Sequence, residues 1–566
     1  MKHTRICISL AILLIAAVTL TACGPKATPT PAEEPAAPTE EPAGPTEEPA
    51  DPTEEPAAPT ETDEPVTLRI GTDYIVDTLN VCTTWYGYTT HAYIHDYLWQ
   101  RGTMDEYGPG LAESYEASDD GLVWTWHIRE GVTFHDGVPF DAEAAAWSLN
   151  WIKEHEIPTM ISSLTGFDKA VAVDATTLEV YYTEAPATSV SQLLLDARMM
   201  PPHIWGKMSE EQIVGEGDPL DIGTGPYKLV SYTPEENMVL EANPDYWGGD
   251  LAIDRIIYQQ YTNMDAAVQA LIAGEVDVVQ DVPSTAIDVL KEHSNISLIE
   301  NPSAGLNELI INSHEEGTQP KWLLDPVVRL AIAHAVDKQQ IVNAVWLGHA
   351  VIGDSIISPA MGKWRNPNIE DIPYDPDEGN RLLEGAGFVD SDGDGIRESL
   401  EGEPMELRFY AEEGPVQART LEIISNGLQQ IGISASPTVM DAESMIALYP
   451  ACDFDLLYWD WSISPLPDFI LSVFTCAERE EGGWSDSCLC DPEYERLYAE
   501  QASEINVERR LGLIHEMQQH LFDQRPYIVI SHRNRIGAYR NDRFTGFLDQ
   551  ENILRENSLL EVRPVE

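Results

Sequence analysis

The sequence predicts a mixed α/β protein with more than one core, in lobes each built on a sheet and linked by crossovers. Three observations lead there. The chain has 566 residues, and the part beyond residue 65 is too long for a single core. Over that part, short β-type runs alternate with stretches that carry apolar residues at three-four spacing. The first 65 residues show neither pattern and are read separately.

The N-terminus comes first. Lys2 and Arg5 precede an apolar run from Ile6 to Leu20 that ends in "LTAC". This is a charged n-region with an h-region too short to span a membrane comfortably. Thr21 and Ala22 stand directly before Cys23, which resembles the lipobox of bacterial lipoproteins. The resemblance implies cleavage after residue 22 (1–22 a lipoprotein signal peptide) and a lipid thioether on Cys23, the new N-terminus. Residues 23–65 repeat "PTEEPA" almost unchanged. Frequent proline blocks helix and sheet and paired glutamates repel, so a disordered, solvated Pro/Thr/Glu tether is expected.

In the body, "VTLRIG" (66–71), "WTWHIREG" (124–131), "TTLEVYYT" (176–183), "IDRIIYQQY" (253–261) and "MELRFYA" (405–411) read as strands. "DAEAAAWSLNWIKEH" (141–155), "NMDAAVQALIAG" (263–274), "PVVRLAIAHAVDKQQIVNAVW" (326–346), "EGNRLLEGAGF" (378–388), "ARTLEIISNGLQQIG" (418–432) and "VERRLGLIHEMQQHLFDQ" (507–524) read as helices. Asp141 is placed to cap the first of these, and Gly274 and Gly432 to end two others.

Charge excludes one class of partner. The chain has 96 acidic and 33 basic side chains. The tether holds 12 acidic and 1 basic residue and the signal 2 basic ones, so the body keeps 84 acidic against 30 basic. Such a surface repels phosphate backbones, and nucleic-acid binding is not expected. It also suits anionic lipid poorly, so membrane association falls to the lipid on Cys23. Beyond Cys7 and Cys23 five cysteines remain: Cys82, Cys452, Cys476, Cys488 and Cys490. Export permits disulfides. Cys476 with Cys488 or Cys490 would close a short loop, and Cys476–Cys488 is the pairing expected. An odd count leaves at least one thiol unpaired.

Several motifs invite chemistry. "DSDGDGIRESLE" (390–401) has EF-hand spacing at Asp390, Asp392, Asp394, Gly395 and Glu401, a candidate structural calcium loop. Arg397 stands where the loop wants an aliphatic residue and a strand follows, so a solvated acidic turn is the competing reading. "HAYIH" places His91 and His95 one helical turn apart, a metal pair with no third ligand nearby or simply a helix surface. The histidines of "HEMQQH" (515–520) fall about 140° apart around a helix and cannot share a metal. His135 and Asp136 in "VTFHDGVPF" read as a strand and turn, not a catalytic pair. There is no GxSxG and no phosphate-binding GxxxxGK[ST].

The segment "LAESYEASDDGLVWTWHIREGVTFHDGVPFDAEAAAWSLNW" (111–151) resembles the signature of the family 5 bacterial extracellular solute-binding proteins, the oligopeptide- and dipeptide-binding group. The likeness continues in order through "GTGPYKLVSY" (223–232), "NPDYWGG" (243–249), "ALIAGEVDVV" (270–279), "DPVVRLAIAHAVDKQQIV" (325–342), "DEGNRLLEGAGF" (377–388) and "PYIVI" (526–530). It implies a two-lobed periplasmic-binding-protein-like fold with an extra subdomain inserted in the N-terminal lobe. The expected division is 66–103, 221–303 and 531–566 for the core of lobe I, 104–220 for the inserted subdomain and 304–530 for lobe II. The resemblance also implies a monomeric, extracytoplasmic receptor on the outer face of the cytoplasmic membrane. It would deliver a solute to an ABC permease with separate ATPase subunits, with no enzymatic activity and no cofactor besides the candidate calcium.

In that family the segment equivalent to "YWDWSISPLPDF" (458–469) lies in the cleft between lobes. Peptide-binding members typically place an aspartate just past the tryptophan. Here Ser462, Ile463 and Ser464 follow Trp461, and Asp460 is the close substitute. If extended, Trp459 and Trp461 share a face, as a pocket wall or as core packing. The expected ligand-binding set is Trp459, Asp460, Trp461 and Ser462, joined by Tyr74 and Trp85 from the loop after the first strand. The expected ligand is an oligopeptide or peptide-like solute, with a sugar, opine or metal chelate as the rival class and an anchored hydrolase behind them.

Overall fold

Residue Val279 of one short strand faces one core and its neighbour Val278 another, and this two-sided burial runs through the main sheet. The computed structural model describes residues 64–76, 78–84, 88–101, 107–185, 197–215, 221–449, 451–462, 466–480 and 483–565. Cys23, the tether up to residue 63 and Trp85 lie outside these residues. Among the described residues the main sheet has twelve strands. One end is built on Thr67–Thr72, parallel to Arg255–Gln260 and to Val278–Val279. Hairpin partners Asn237–Ala242 and Tyr227–Thr233 extend it to that edge. Helix Met264–Ala273 makes the crossover, capped by Asn263 and closed by Gly274 at φ 79°. That left-handed conformation is one a glycine adopts without strain.

The other end holds Leu306–Ile311, Leu456–Trp461, Glu406–Glu412 and Ser434–Met440. All six residues of Leu306–Ile311 are buried. Leu309 and Ile311 face one core, with Phe409, Ile424 and Tyr458; Leu306 and Ile310 face the other, with Phe474, Met517 and Tyr527. A strand buried on both faces reads as an unbroken apolar run rather than an alternation.

One strand joins the two ends. Tyr527–Arg540 has 14 residues and spans roughly 45 Å. Its first part pairs with Leu306–Ile311. Its last part pairs with Ile296–Pro302 and Val278–Val279. The chain crosses again at Ser303–Gly305, where Ser303 N donates to Arg533 O at 3.0 Å.

A separate four-stranded sheet, Ala112–Ala117, Val123–Ile128, Thr177–Tyr182 and Phe167–Ala172 in spatial order, carries its own core. Helix Ala142–Glu154 covers it, with Asp141 accepting from Ala144 N at 3.0 Å. The chain re-enters the main sheet through "GTGPY". A Cβ on Gly223 would lie 2.0 Å from Ile94 O, so only glycine permits this backbone approach. His135 and Asp136 sit in a tight hairpin, His135 bound to Gly225 O and Asp136 to His203.

The predicted strands and helices appear close to their expected bounds, with one break. The 326–346 helix is two, Pro326–Ala335 and Lys338–Val345. Val336 ends the first, and Asp337 caps the second by accepting from Gln340 N at 2.8 Å.

Candidate ligand-binding cleft

Where the long strand passes from one half of the sheet to the other, the surface folds into a cavity of about 350 Å³. Its walls include Asp281 and Ser284 from one half and Trp346, Asp460, Trp461 and Ser462 from the other. Ser303, Gly305, Arg533 and Asn534 form its floor at the two crossings.

Strand Leu456–Trp461 brings Asp460 and Trp461 here, with Ser462 just past its end, while Trp459 is not part of the lining. Its ladder with Leu306–Ile311 runs the whole way, pairing Asn307 with Asp460 and Leu306 with Trp461. On the other edge the ladder with Glu406–Glu412 ends at Ala411 opposite Tyr458. From Trp459 onward that edge has no strand partner among the described residues. Its N–H and C=O groups can therefore pair with an extended chain.

The aromatic residues divide their roles. Tyr458 is core, 2% exposed. Trp459 and Trp461 share the opposite face, as the alternation predicts, and pack against the core that holds Leu306 and Ile310. Trp459 meets Tyr449 edge to face at 5.9 Å. Trp461 reaches the cavity and meets Phe469 at 5.5 Å and Trp484 at 6.4 Å, both edge to face. Phe469 and Trp484 are exposed, so the three rings make an apolar corner beside the cavity. Ser462 is exposed at the cavity wall. Tyr74 is not part of that lining; Thr72 and Tyr74 hydrogen-bond across a turn that leaves the ring exposed.

Behind Trp461 lies a buried acidic group. The indole Nε1 donates to Asp486 Oδ2 at 3.0 Å and to the Tyr527 hydroxyl at 3.2 Å, and Tyr527 donates to Asp486 Oδ1. Burial pushes the Asp486 carboxyl up to about 7 in spite of those hydrogen bonds. Glu308, opposite Trp459, is fully buried and neither carboxylate oxygen has a hydrogen bond. Burial drives its pKa well above the usual range, and the Asp486 and Asp460 charges push the same way. Glu308 therefore favours its protonated form more than a carboxyl in water does. Asp460 keeps contact with water but stands in a concave wall, where desolvation raises its pKa and Arg533 works against that rise. Arg533 is exposed on the cavity floor. Of the charged groups lining the cavity, Asp281 pairs with Arg535 and Glu551 with Arg555, while the Asp460 carboxylate and the Arg533 guanidinium make no ion pair among the described residues.

Sequence reasoning missed Glu308, Phe469, Trp484, Asp486 and Arg533. Arg533 had a signal, since "HRNR" (532–535) is a basic cluster in an acidic chain. Glu308 had only its place inside "GLNELIIN".

Two expectations need correction. The disulfides are Cys452–Cys488 and Cys476–Cys490, not Cys476–Cys488. The loop after Cys476 carries Cys490 back beside it, Cα to Cα 4.6 Å, while Cys488 turns inward to the strand-end turn that bears Cys452. Cys82 is the unpaired, buried thiol. The calcium loop also lacks its last ligand. Asp390, Asp392 and Glu398 approach one another, whereas Glu401 lies beyond a turn closed by Ser399. Asp394 is spent on Ile396 N at 2.8 Å, and Arg397 is drawn inward by Ile431 O, Phe388 O and Asn380. Glu398 is held in β-bridges to Val389 and Pro404, so no helix can follow as in an EF-hand. A calcium at this turn would be held by Asp390, Asp392 and Glu398.

Residues 106–480 match the bacterial extracellular solute-binding proteins, family 5, middle region. The chain belongs to that family. Among its relatives is the dipeptide-binding protein of Escherichia coli K12, 26% identical over 447 residues that cover 75% of this chain and 80% of that protein. In structure it resembles the oligopeptide-binding protein AppA from Bacillus subtilis in complex with a nonapeptide (20% identity, TM-score 0.68, 89% and 100% of the two chains). It also resembles NikA from Brucella suis in complex with Fe(III)-EDTA (20% identity, TM-score 0.76, 88% and 100%). This family 5 chain therefore has the two-lobed periplasmic solute-binding fold, and the cavity at its strand crossings is the candidate solute site. No helix among the described residues is long and apolar enough to cross a membrane.

Proposed function

We propose that this family 5 protein binds a peptide or peptide-like solute between its lobes and hands it, unchanged, to an ABC permease with its own ATPase subunits. The observation that carries the reading is the unpaired edge of the strand from Trp459 to Trp461, next to Asp460 and Arg533. An extended peptide has backbone groups for the edge and opposite charges for the two side chains. The corner of Trp461, Phe469 and Trp484 accepts apolar side chains by area and stacking without demanding one shape. The names of the relatives support the same class of solute.

The division into a discontinuous lobe I (66–103, 221–303, 531–566), an insertion (104–220) and lobe II (304–530) belongs to this proposal, supported by the strand memberships above. So does the address: Cys23 carries a lipid, and the body works as a monomer at the outer face of the cytoplasmic membrane. A multi-chain lipid holds such a body stably.

A thermal-shift panel tests the solute. Unmodified tripeptides and tetrapeptides are expected to raise the melting temperature, and mass spectrometry should recover them intact. A shift produced only by oligosaccharides or metal chelates would overturn the peptide reading, and cleaved peptide would overturn the binding-only reading.

A further inference from the structure

His91 and His95, one helical turn apart in "HAYIH", acquire a third partner from far along the chain. Asp221 places Oδ2 3.4 Å from His91 Nδ1 and Oδ1 2.5 Å from His95 Nε2. One ligand atom from each of the three lies within 4.8 Å of the others, and each side chain is 1% exposed. Hydrogen bonds leave much of the group unsatisfied. His91 Nε2 and His95 Nδ1 are buried without a hydrogen bond, and His91 Nδ1 and Asp221 Oδ2 have only their long 3.4 Å contact with each other. Unpaired polar atoms at such depth are costly and call for a ligand.

We propose that His91, His95 and Asp221 form a buried binding site for a divalent transition-metal ion, best suited to zinc. Two imidazoles and one carboxylate are a donor set that zinc accepts, with a fourth position left for a small ligand. Metal–nitrogen bonds of about 2.0 Å put neighbouring tetrahedral ligands roughly 3.3 Å apart, close to the 3.4 Å already found between His91 and Asp221. The His95–Asp221 contact opens on binding, and the proton it holds passes to solvent. Charge favours a cation as well. Arg198 acts on His91 and Asp96 on His95, so with neutral imidazoles the two carboxylates outnumber the single guanidinium.

The surroundings hold the three ligands in place. Asp96 is occupied by Thr224 at 3.0 Å, Trp247 at 2.8 Å and Gln100 at 3.2 Å. Gly225 N donates to Ile94 O and Tyr227 N to Tyr93 O, each at 2.9 Å. These bonds tie the His91–His95 segment to the segment after Asp221. His95 and Asp221 are 126 residues apart, and the separate four-stranded sheet lies between them. The metal is therefore a clasp at the neck of that excursion, outside the solute cleft.

The test uses the untagged protein stripped with a chelator and titrated with zinc chloride by calorimetry. One zinc per chain, proton release and a melting temperature raised by a few degrees are expected. His91→Gln and Asp221→Asn should each abolish that stoichiometry. Should either variant fail to fold, X-ray absorption on zinc-loaded wild type decides: two imidazole nitrogens with oxygen support the site, and an all-oxygen or sulfur shell overturns it. No zinc uptake by wild type, or uptake unchanged in both folded variants, also overturns it.

Discussion

Trp461 and Asp486, 25 residues apart, are joined by an indole Nε1–H donating to Oδ2 at 3.0 Å. The bond sets the ring at the cavity wall and satisfies Oδ2 of a buried carboxylate whose Oδ1 accepts from Tyr527. Trp461→Phe keeps the apolar face and deletes the donor. It should cost about 1–3 kcal/mol of stability, the range for leaving a buried acceptor unsatisfied, with less than a tenfold loss of affinity. Trp461→Ala should lose tenfold or more. Denaturant titration and calorimetry on the two variants separate these effects.

Buried acids predict the sign of a pH dependence. Asp486 titrates near 3.8 when unfolded and near 7 when folded, and Glu308 is raised in the same sense. Between about pH 4 and 7 the folded state holds more of the Asp486 proton, so its contribution is fully present below pH 4 and lost as pH rises through 7, and Glu308 acts in the same sense. His135, depressed to about 4, acts in the opposite sense, so a comparison of two proteins is needed. Glu308→Gln should raise the melting temperature at pH 8 more than at pH 5. A variant less stable than wild type at pH 8 would contradict the reading.

The cleft charges make separable predictions. Asp460→Asn should weaken binding of a peptide with a free N-terminus about tenfold and leave its N-acetylated form unchanged. Arg533→Ala should do the same for free and amidated C-termini. Calorimetry on the four peptide–variant pairs reads the pattern, and equal losses for blocked and free peptides would rule out terminal recognition.

Cysteine chemistry gives a further check. Peptide mapping under non-reducing conditions should recover Cys452 with Cys488 and Cys476 with Cys490. Burial pushes the Cys82 thiol up to about 12, so it should resist alkylation in the native protein and react once the chain is unfolded.

Much of the fold could be read from periodicity. Helix Val507–Gln524 has the bounds its three-four spacing implies, and Asp141, Gly274 and Gly432 stand at helix ends. Local pattern did not show the break at Asp337, because apolar spacing continues across it while one side chain switches to capping. Nor could it choose between Cys488 and Cys490, two residues apart, which only the loop's path separates. The cleft was half legible. Trp461 and Asp460 stand out in a short aromatic run, but Glu308 reads as one polar letter in an apolar strand. Phe469 and Trp484 join Trp461 only through folding, and Asp221 joins His95, 126 residues away, and His91 beside it.

Native mass spectrometry of the protein purified from its own cells tests the central claim most directly. The account predicts a one-to-one noncovalent complex with a peptide, released intact and absent from the Trp461→Ala variant. A sugar or metal chelate in its place, or a peptide still bound after Trp461→Ala, Asp460→Asn and Arg533→Ala together, would contradict it.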